Sequence, residues 1–334
     1  MAHEIENCAY STDEGKGWHG LGNPIPADAA KDPHRIAALA GATFRVEKRE
    51  CFYSNPDGSY TQAPNRSVLV RSDNNAMIEV TSSSSYHVAN RQPVDIFAAF
   101  RDHLAEESLS ISHASVLRGG AIIVACAKLN DASFQVGRGD PVNHYLTLTT
   151  GYDTAHGTKA MLGSIRVVCA NTLQSATSQA NANGRATTLK ASQRFEHDTL
   201  TGIVANIGDI LAAERAKFER LANAPMTDAD VMRTFADVLD IDISRPDSIS
   251  TRARNMLSHL VASYNHAPGS DIARGTAWGA LNAVTHYATH VKTVRDTKSD
   301  GNDSARLASN LFGDSAKVKA RALEILTSRY AMAA

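Results

Sequence analysis

Hydrophobic periodicity changes character once along this 334-residue chain, and that change constrains the fold more than any motif. Through Cys169, apolar residues alternate between turn signals, with β-branched and aromatic residues prominent, as half-buried strands require. In Thr43–Ser54, Phe44, Val46 and Lys48 share one face. Asn55-Pro56-Asp57-Gly58 is a turn, because proline presets φ and glycine accepts a positive one. Arg66–Arg71 and Met77–Thr81 follow as strands across Asp73-Asn74-Asn75, which predicts an antiparallel meander. Pro93 opens a helix on which Ile96, Phe97, Phe100 and Leu104 recur at helical spacing. Ser112–Leu117 and Ala121–Leu129 pair across Arg118-Gly119-Gly120. His144–Thr149 and Ser164–Cys169 make a second pair, and the polar stretch 151–163 between them is expected to be an exposed loop.

Beyond Cys169 the pattern expects a short helix, then a small-polar linker over 181–188, then helix almost throughout. Thr201–Ala222 carries an apolar stripe that includes Ile207, Ile210, Leu211, Phe218 and Leu221. Thr227 is the N-cap of the next helix, Ser250–Asn265 forms another, and Asp271–Asp296 and Ser315–Tyr330 complete the series. The first forty-odd residues differ: Gly15, Gly17, Gly20 and Gly22 surround Trp18-His19, a density that argues against regular structure. The expected fold is therefore α+β: an antiparallel β-sheet N-terminal half with one or two packed helices, then an all-helical C-terminal half. Its expected divisions are a glycine-rich arm (1–42), a sheet domain (43–188) and a helical region (189–334).

Composition is that of a globular protein, with 43% hydrophobic and 21% charged residues. The N-terminus has no basic or apolar signal region, and no apolar run approaches a membrane span, so a cytoplasmic protein without membrane contact is expected. Four cysteines form no C-x-x-C pair, and Cys126 and Cys169 sit in apolar runs as buried thiols of a reducing compartment would.

Enzyme signatures are missing: there is no phosphate-binding loop, dinucleotide fingerprint, H-E-x-x-H or nucleophile elbow. Gly137-Arg138-Gly139-Asp140 is too short to mean a phosphate loop. His286 and His290 share a helical face and could chelate a metal, with His259 and His266 one helix earlier, but no carboxylate stands near them. They are read as polar-face or interface residues, with no metal and no cofactor expected. Asp228, Asp230, Asp240 and Asp242 read as acids at helix ends rather than a nuclease centre. No catalytic residue emerges, and the sequence leans against an enzyme without deciding the matter.

Net charge is −1, so a polyanion site would have to be local. Between Ser108 and Arg194 there are eight basic residues against three acids, a surplus of five. Arg118, Lys128, Arg138, Lys159, Arg166, Lys190 and Arg194 are the candidate phosphate contacts, with Arg185 in the same run and Tyr152 as a stacking side chain. Lys190 and Arg194 are four apart on a predicted helix, and Arg166 is expected on the open face of its strand. Trp18, His19 and Trp278 are candidate contacts between subunits.

Several blocks carry a resemblance: Trp18-His19-Gly20-Leu21-Gly22, Ser85–Asn90, Leu117–Gly120, Ser164–Leu173, Gly275–Thr285 and Leu311-Phe312-Gly313. In their order and spacing they resemble the phage/plasmid-like proteins that carry the domain of unknown function 932. The resemblance brings no catalytic residues, only a habitat of mobile elements. The sheet-then-helix order is compatible with single-strand annealing proteins, which form rings or filaments with DNA in a basic groove, although no annealing motif matches residue by residue. The expected function is a non-catalytic, homo-oligomeric single-stranded DNA-binding and annealing protein. A module that binds a host defence protein and a metal-dependent nuclease are the alternatives.

Overall fold

The computed structural model describes residues 5–12, 22–82, 91–153, 157–166, 171–174, 186–189, 207–293, 309–310 and 313–331. The fold is α+β, with strands preceding helices. Nine strands make the main sheet: β1 (Ile5–Ser11), β2 (Asn23–Ile25), β6 (Leu109–Leu117), β7 (Ile122–Leu129), β8 (Phe134–Val136), β9 (Asp140–Gly151), β10 (Thr158–Arg166), β11 (Asn171–Gln174) and β12 (Ala186–Leu189). The order is β11-β10-β9-β7-β6-β1-β2, with β12 also on β10 and β8 also on β9. Every pairing is antiparallel except β1 with β2. A second, three-stranded sheet runs β3 (Val46–Ser54), β4 (Tyr60–Arg71), β5 (Met77–Ser82), the meander the turn residues predict.

One face of the main sheet is the core. Ala114 and Val116 of β6, Ile123, Ala125 and Ala127 of β7, Leu146 and Leu148 of β9, and Ala160 and Leu162 of β10 are all buried there. They pack under Ile36 of α1 (Pro33–Leu39) and under Ile96, Phe97 and Phe100 of α2 (Pro93–Ala98) and its end. Burying each valine, leucine, isoleucine or phenylalanine among them is worth about 1.5–3 kcal/mol, and the alanines let the helices approach closely. A short α3 (Arg101–Ala105) then leads into β6.

A second core joins the β8–β9 end of the sheet to the helices: α4 (Ile207–Asn223), α5 (Asp228–Leu239), α6 (Thr251–His266), α7 (Ser270–Ala273), α8 (Ala277–His286) and α9 (Asp314–Leu326). Thr227 caps α5 as expected: its hydroxyl accepts from Asp230 N–H at 3.2 Å. Ser250 caps α6 in the same way.

Four expectations are corrected. The arm is not irregular throughout, because β1 is an internal strand between β6 and β2, and α1 is capped by Asp32. The expected loop 151–163 is loop only in part, since β10 begins at Thr158 and pairs with β9. Asn171–Gln174 is a strand on β10 rather than a helix, and β12 occupies part of the expected linker. Asp271–Asp296 is not one helix: Arg274 and Gly275, at φ +86°, separate α7 from α8, and a π-helical turn over Tyr287–Val291 ends the run. Among the described residues, no helix is long and apolar enough to cross a membrane.

Candidate nucleic-acid interface

Strand register decides which predicted cations can act together. Arg118 stands at the β6–β7 turn, with its guanidinium 3.9 Å from Asp153, and Lys159 lies opposite Thr149 at the start of β10. Lys128 lies opposite Tyr145 at the far end of β7, Arg166 opposite Val142 at the far end of β10, and Arg138 in the exposed β8–β9 turn. Thr149 and Tyr145 are four residues apart on β9, about 13 Å at strand rise. The cations thus divide between two ends of the sheet and do not make one continuous track. Lys190, Arg194, Arg185, Trp18 and His19 lie outside the described residues.

Two aromatic expectations are overturned. Tyr152 has no exposed surface and its hydroxyl donates to Arg91 O at 2.9 Å, so it cannot stack on a base. Trp278 is 2% exposed inside the helical core, packed on Phe218 at 4.7 Å between ring centroids, and is no subunit contact. Its indole N–H donates to Asp140 Oδ2 at 2.7 Å and so ties α8 to β9. Gly279 is required beside it, because a Cβ there would come within 2.3 Å of Ala273 O. The backbone of the same segment is stitched to Ala224 and Met226: Ala277 N–H donates to Ala224 O, and Met226 N–H to Gly275 O, both at 2.9 Å.

This junction borders a cleft of about 520 Å³ lined by Arg138, Asp140, Glu219, Asn223, Thr276 and Trp278 among others. Glu219 accepts from Gly137 N–H at 3.3 Å. Two carboxylates against one guanidinium make it a poor cradle for phosphate. Deeper in the same junction, His144 and Glu214 are both buried and 3.6 Å apart, with Phe134 tilted over the His144 ring.

On the opposite face of the sheet from the apolar core, Cys8 of β1 meets His113 of β6. The thiol is 3.4 Å from His113 Nδ1, and His113 Nε2 is 3.2 Å from the Ser115 hydroxyl. The layout is that of a nucleophile, a base and an orienting group. Burial works against the chemistry, pushing the Cys8 thiol up to about 12 and His113 down to about 4. Both groups are neutral at pH 7, so no thiolate is available to attack.

The exposed surface that sequence reasoning missed is on the meander. Among the described residues, the exposed large apolar side chains are Phe52 (53%), Tyr53 (52%), Tyr60 (75%), Met77 (66%) and Val80 (37%), and all stand on β3–β5. Phe52 pairs with Gln62 and Ser54 with Tyr60, so Phe52 and Tyr60 are diagonal neighbours on one face, with Tyr53 on the other. The Asn55–Ser59 turn between them is held by Asn55 N–H to Ser59 O at 2.8 Å and by Asp57, which accepts from the Ser59 N–H and hydroxyl. The signal was present: aromatic residues flank the turn, while Glu47, Lys48, Arg49 and Glu50 leave no apolar alternation to bury them.

The base of the meander is anchored to the Arg118 end of the main sheet. Val46, Leu69 and Arg71 are buried, and the Gln92 side chain bonds both Val46 N–H and Val46 O. Arg71 lies 4.1 Å over the Phe44 ring, and both touch Gly120, where a Cβ would come within 2.9 Å of Phe44. The base of the meander thus stands at the Arg118 end of the main sheet, while Phe52 and Tyr60 lie further out, Tyr60 eleven residues along β4 from Arg71 and roughly 35 Å at strand rise.

The family model for the domain of unknown function (DUF932) matches residues 80–311, well over half of the chain. The chain belongs to this family. No curated protein and no solved structure matches it. The DUF932 segment takes in β6–β12, the Asp140–Trp278 junction and the helices through α8, whereas the β3–β4 hairpin precedes it. Within the segment, Gly275–Thr285 has the structural task of closing sheet on helices, and β3–β4 adds an exposed surface that the family match does not include.

Proposed function

We propose that the chain is a non-catalytic, homo-oligomeric single-stranded DNA-binding protein of the annealing type, serving a phage or plasmid in the cytoplasm. The observation that carries this reading is the exposure of Phe52, Tyr53 and Tyr60 on a hairpin whose base is anchored at the Arg118 end of the sheet. Every base has a π-face, so stacking on aromatic side chains is tolerant of sequence and contributes about 1–3 kcal/mol per base. Arg49 and Arg66, on the same two strands, are the nearest cations for the backbone at the stacked bases, and Arg118 and Lys159 would meet the strand where it runs on past the base of the meander.

Fluorescence anisotropy with a labelled deoxythymidine oligonucleotide tests it. Binding should weaken with salt at a log–log slope of roughly −2 to −3, as expected for three or four phosphate contacts on a single strand. Tyr60→Ala should weaken it at every salt concentration. No binding at low salt to any single-stranded oligonucleotide would end the proposal.

A second reading has its own support. From Glu47 to Arg66 the hairpin carries three cations and three acids, so it has no net charge. An uncharged aromatic surface suits a protein partner, such as a component of host defence, as well as a nucleic acid. A pull-down that recovers one host protein without nucleic acid, and loses it on Tyr60→Ala, would favour that reading.

A further inference from the structure

Where α8 ends, the helix widens. Residues Tyr287–Val291 form a π-helical turn, a rare feature that occurs mostly as single turns and often at functional sites. In an α-helix, residues four apart are offset by about 40° around the axis. A wider turn reduces that offset and brings the side chains of His286 and His290 more nearly into line. Their ring centroids are 5.2 Å apart and the rings are inclined at 43°.

That separation has a chemical meaning. An imidazole nitrogen binds zinc at about 2.0–2.1 Å, which puts the ring centroid roughly 3.2 Å from the metal; two such rings at a tetrahedral angle have centroids about 5 Å apart. His286 is also oriented from behind. Its Nδ1 is 3.1 Å from the hydroxyl of Ser263, a buried residue of α6. A hydrogen bond from Nδ1–H to that oxygen fixes the ring and leaves Nε2 as the donor, the outer-sphere arrangement usual for metal-binding histidines. His290, one turn on, is exposed at the surface.

We propose that His286 and His290 form a two-imidazole chelate for a transition-metal ion of the zinc, nickel or copper class, with its remaining positions open to water or an incoming ligand. The donor set selects the metal. Magnesium and calcium need oxygen ligands, and neither histidine offers one. Among the described residues no group of three or more His, Cys, Asp or Glu could hold a metal, so a chelate here has two protein ligands. The local charge is mixed, with Asp314 opposing Arg252 and Lys317 around Lys292, so charge does not draw a cation to the pair and binding rests on imidazole coordination. The site lies in the helical half and is independent of the DNA-binding reading.

Isothermal titration of tag-free, chelator-stripped protein with zinc and nickel salts tests this. One equivalent should bind with micromolar affinity, and magnesium and calcium should not bind. His290→Ala should weaken binding roughly tenfold or more, and circular dichroism and the unfolding midpoint of the variant separate that loss from any loss of fold. Ser263→Ala should weaken it less, and His259→Ala, whose ring faces Tyr287 at 6.5 Å between centroids, should leave it unchanged. Cobalt should give visible absorption in the wild type that is lost in His290→Ala. Failure of zinc and nickel to bind below millimolar concentration, or binding unaltered in both His286→Ala and His290→Ala, would overturn the proposal.

Discussion

The two sheets of this protein use aromatic and aliphatic residues in opposite ways. In the nine-stranded sheet, side chains from β6, β7, β9 and β10 alternate between an apolar layer under α1 and α2 and a mixed face, also buried, on which Ser115, Thr147 and Thr149 stand with Leu117, Ile122 and Val124. In the three-stranded sheet one face is buried through Val46, Ser67, Leu69, Arg71 and Thr81, with Val70 at the base of the other, while Phe52, Tyr53, Tyr60 and Met77 stay in water. A two-stranded arm is marginal by itself, and leaving three aromatics exposed on it stabilises nothing within the chain. Two things differ: the covering helices, and the strands themselves, since Glu47, Lys48, Arg49 and Glu50 leave β3 without the apolar alternation of β7.

The largest effect expected from breaking this contrast is at Phe100. Phe100→Ala should cost about 3–5 kcal/mol in denaturant unfolding, because it opens a cavity in the layer under α2. A loss below 1 kcal/mol would mean that this layer does not hold the sheet.

The buried polar groups give the next effect. Lys319 of α9 is 1% exposed, donates to Asn310 Oδ1 at 3.0 Å, and is pushed by burial down to about 7. The unfolded chain then holds more protons than the folded one above pH 7, so stability should rise with pH there. Between pH 7 and 9 the gain should be about 2–3 kcal/mol. Above pH 9, Cys8 titrates in the unfolded chain while burial keeps its thiol protonated in the folded one, which offsets the lysine contribution and levels the curve; stability falls only above about pH 10, once the unfolded lysine also loses its proton. Lys319→Met should remove the rise, and a slope unchanged in that variant would refute the assignment.

Trp278→Phe keeps most of the ring and loses the donor to the buried Asp140 carboxylate. The expected cost is about 1.5–3 kcal/mol, as for a hydrogen bond to a charged group. Hydrogen exchange should show the loosening at both α8 and β9, and loosening of α8 alone would show that the bond does not couple sheet to helices.

The smallest expected effect on stability is the sharpest test of the comparison. Tyr60→Ala should change unfolding by less than about 0.5 kcal/mol, as at a surface position without partners in the core. The same variant should weaken oligonucleotide binding by about 1–3 kcal/mol. A variant that unfolds readily would show that the hairpin supports the fold rather than a ligand.

Much of the local structure was legible because it is encoded locally. Asn55-Pro56-Asp57-Gly58, the Thr227 and Ser250 caps and the strand alternation of β6–β7 each depend on residues a few positions apart. The misreadings share the opposite property. β1 is a strand because β6 and β2 flank it, and Asn171–Gln174 is one because β10 offers an edge. The site was less legible than the fold. A count of basic residues finds a surplus of five between Ser108 and Arg194, but register sends Arg118 and Lys159 to one end and Lys128, Arg138 and Arg166 to the other. Tyr152 and Trp278 looked like surface aromatics, and both are buried.

The sequence by itself determined that strands come first and helices after, where the turns and caps fall, and that the chain resembles the DUF932 family. Hydrophobic period and backbone preference act over a few residues, so a single chain reports them. Only the tertiary structure decided that Trp278 clasps Asp140, that Cys8 meets His113, that the predicted cations separate, and that a π-turn aligns His286 with His290. Each of those pairs distant segments or bends a regular element, and the free energy that selects it is in packing between elements rather than in the pattern of any one.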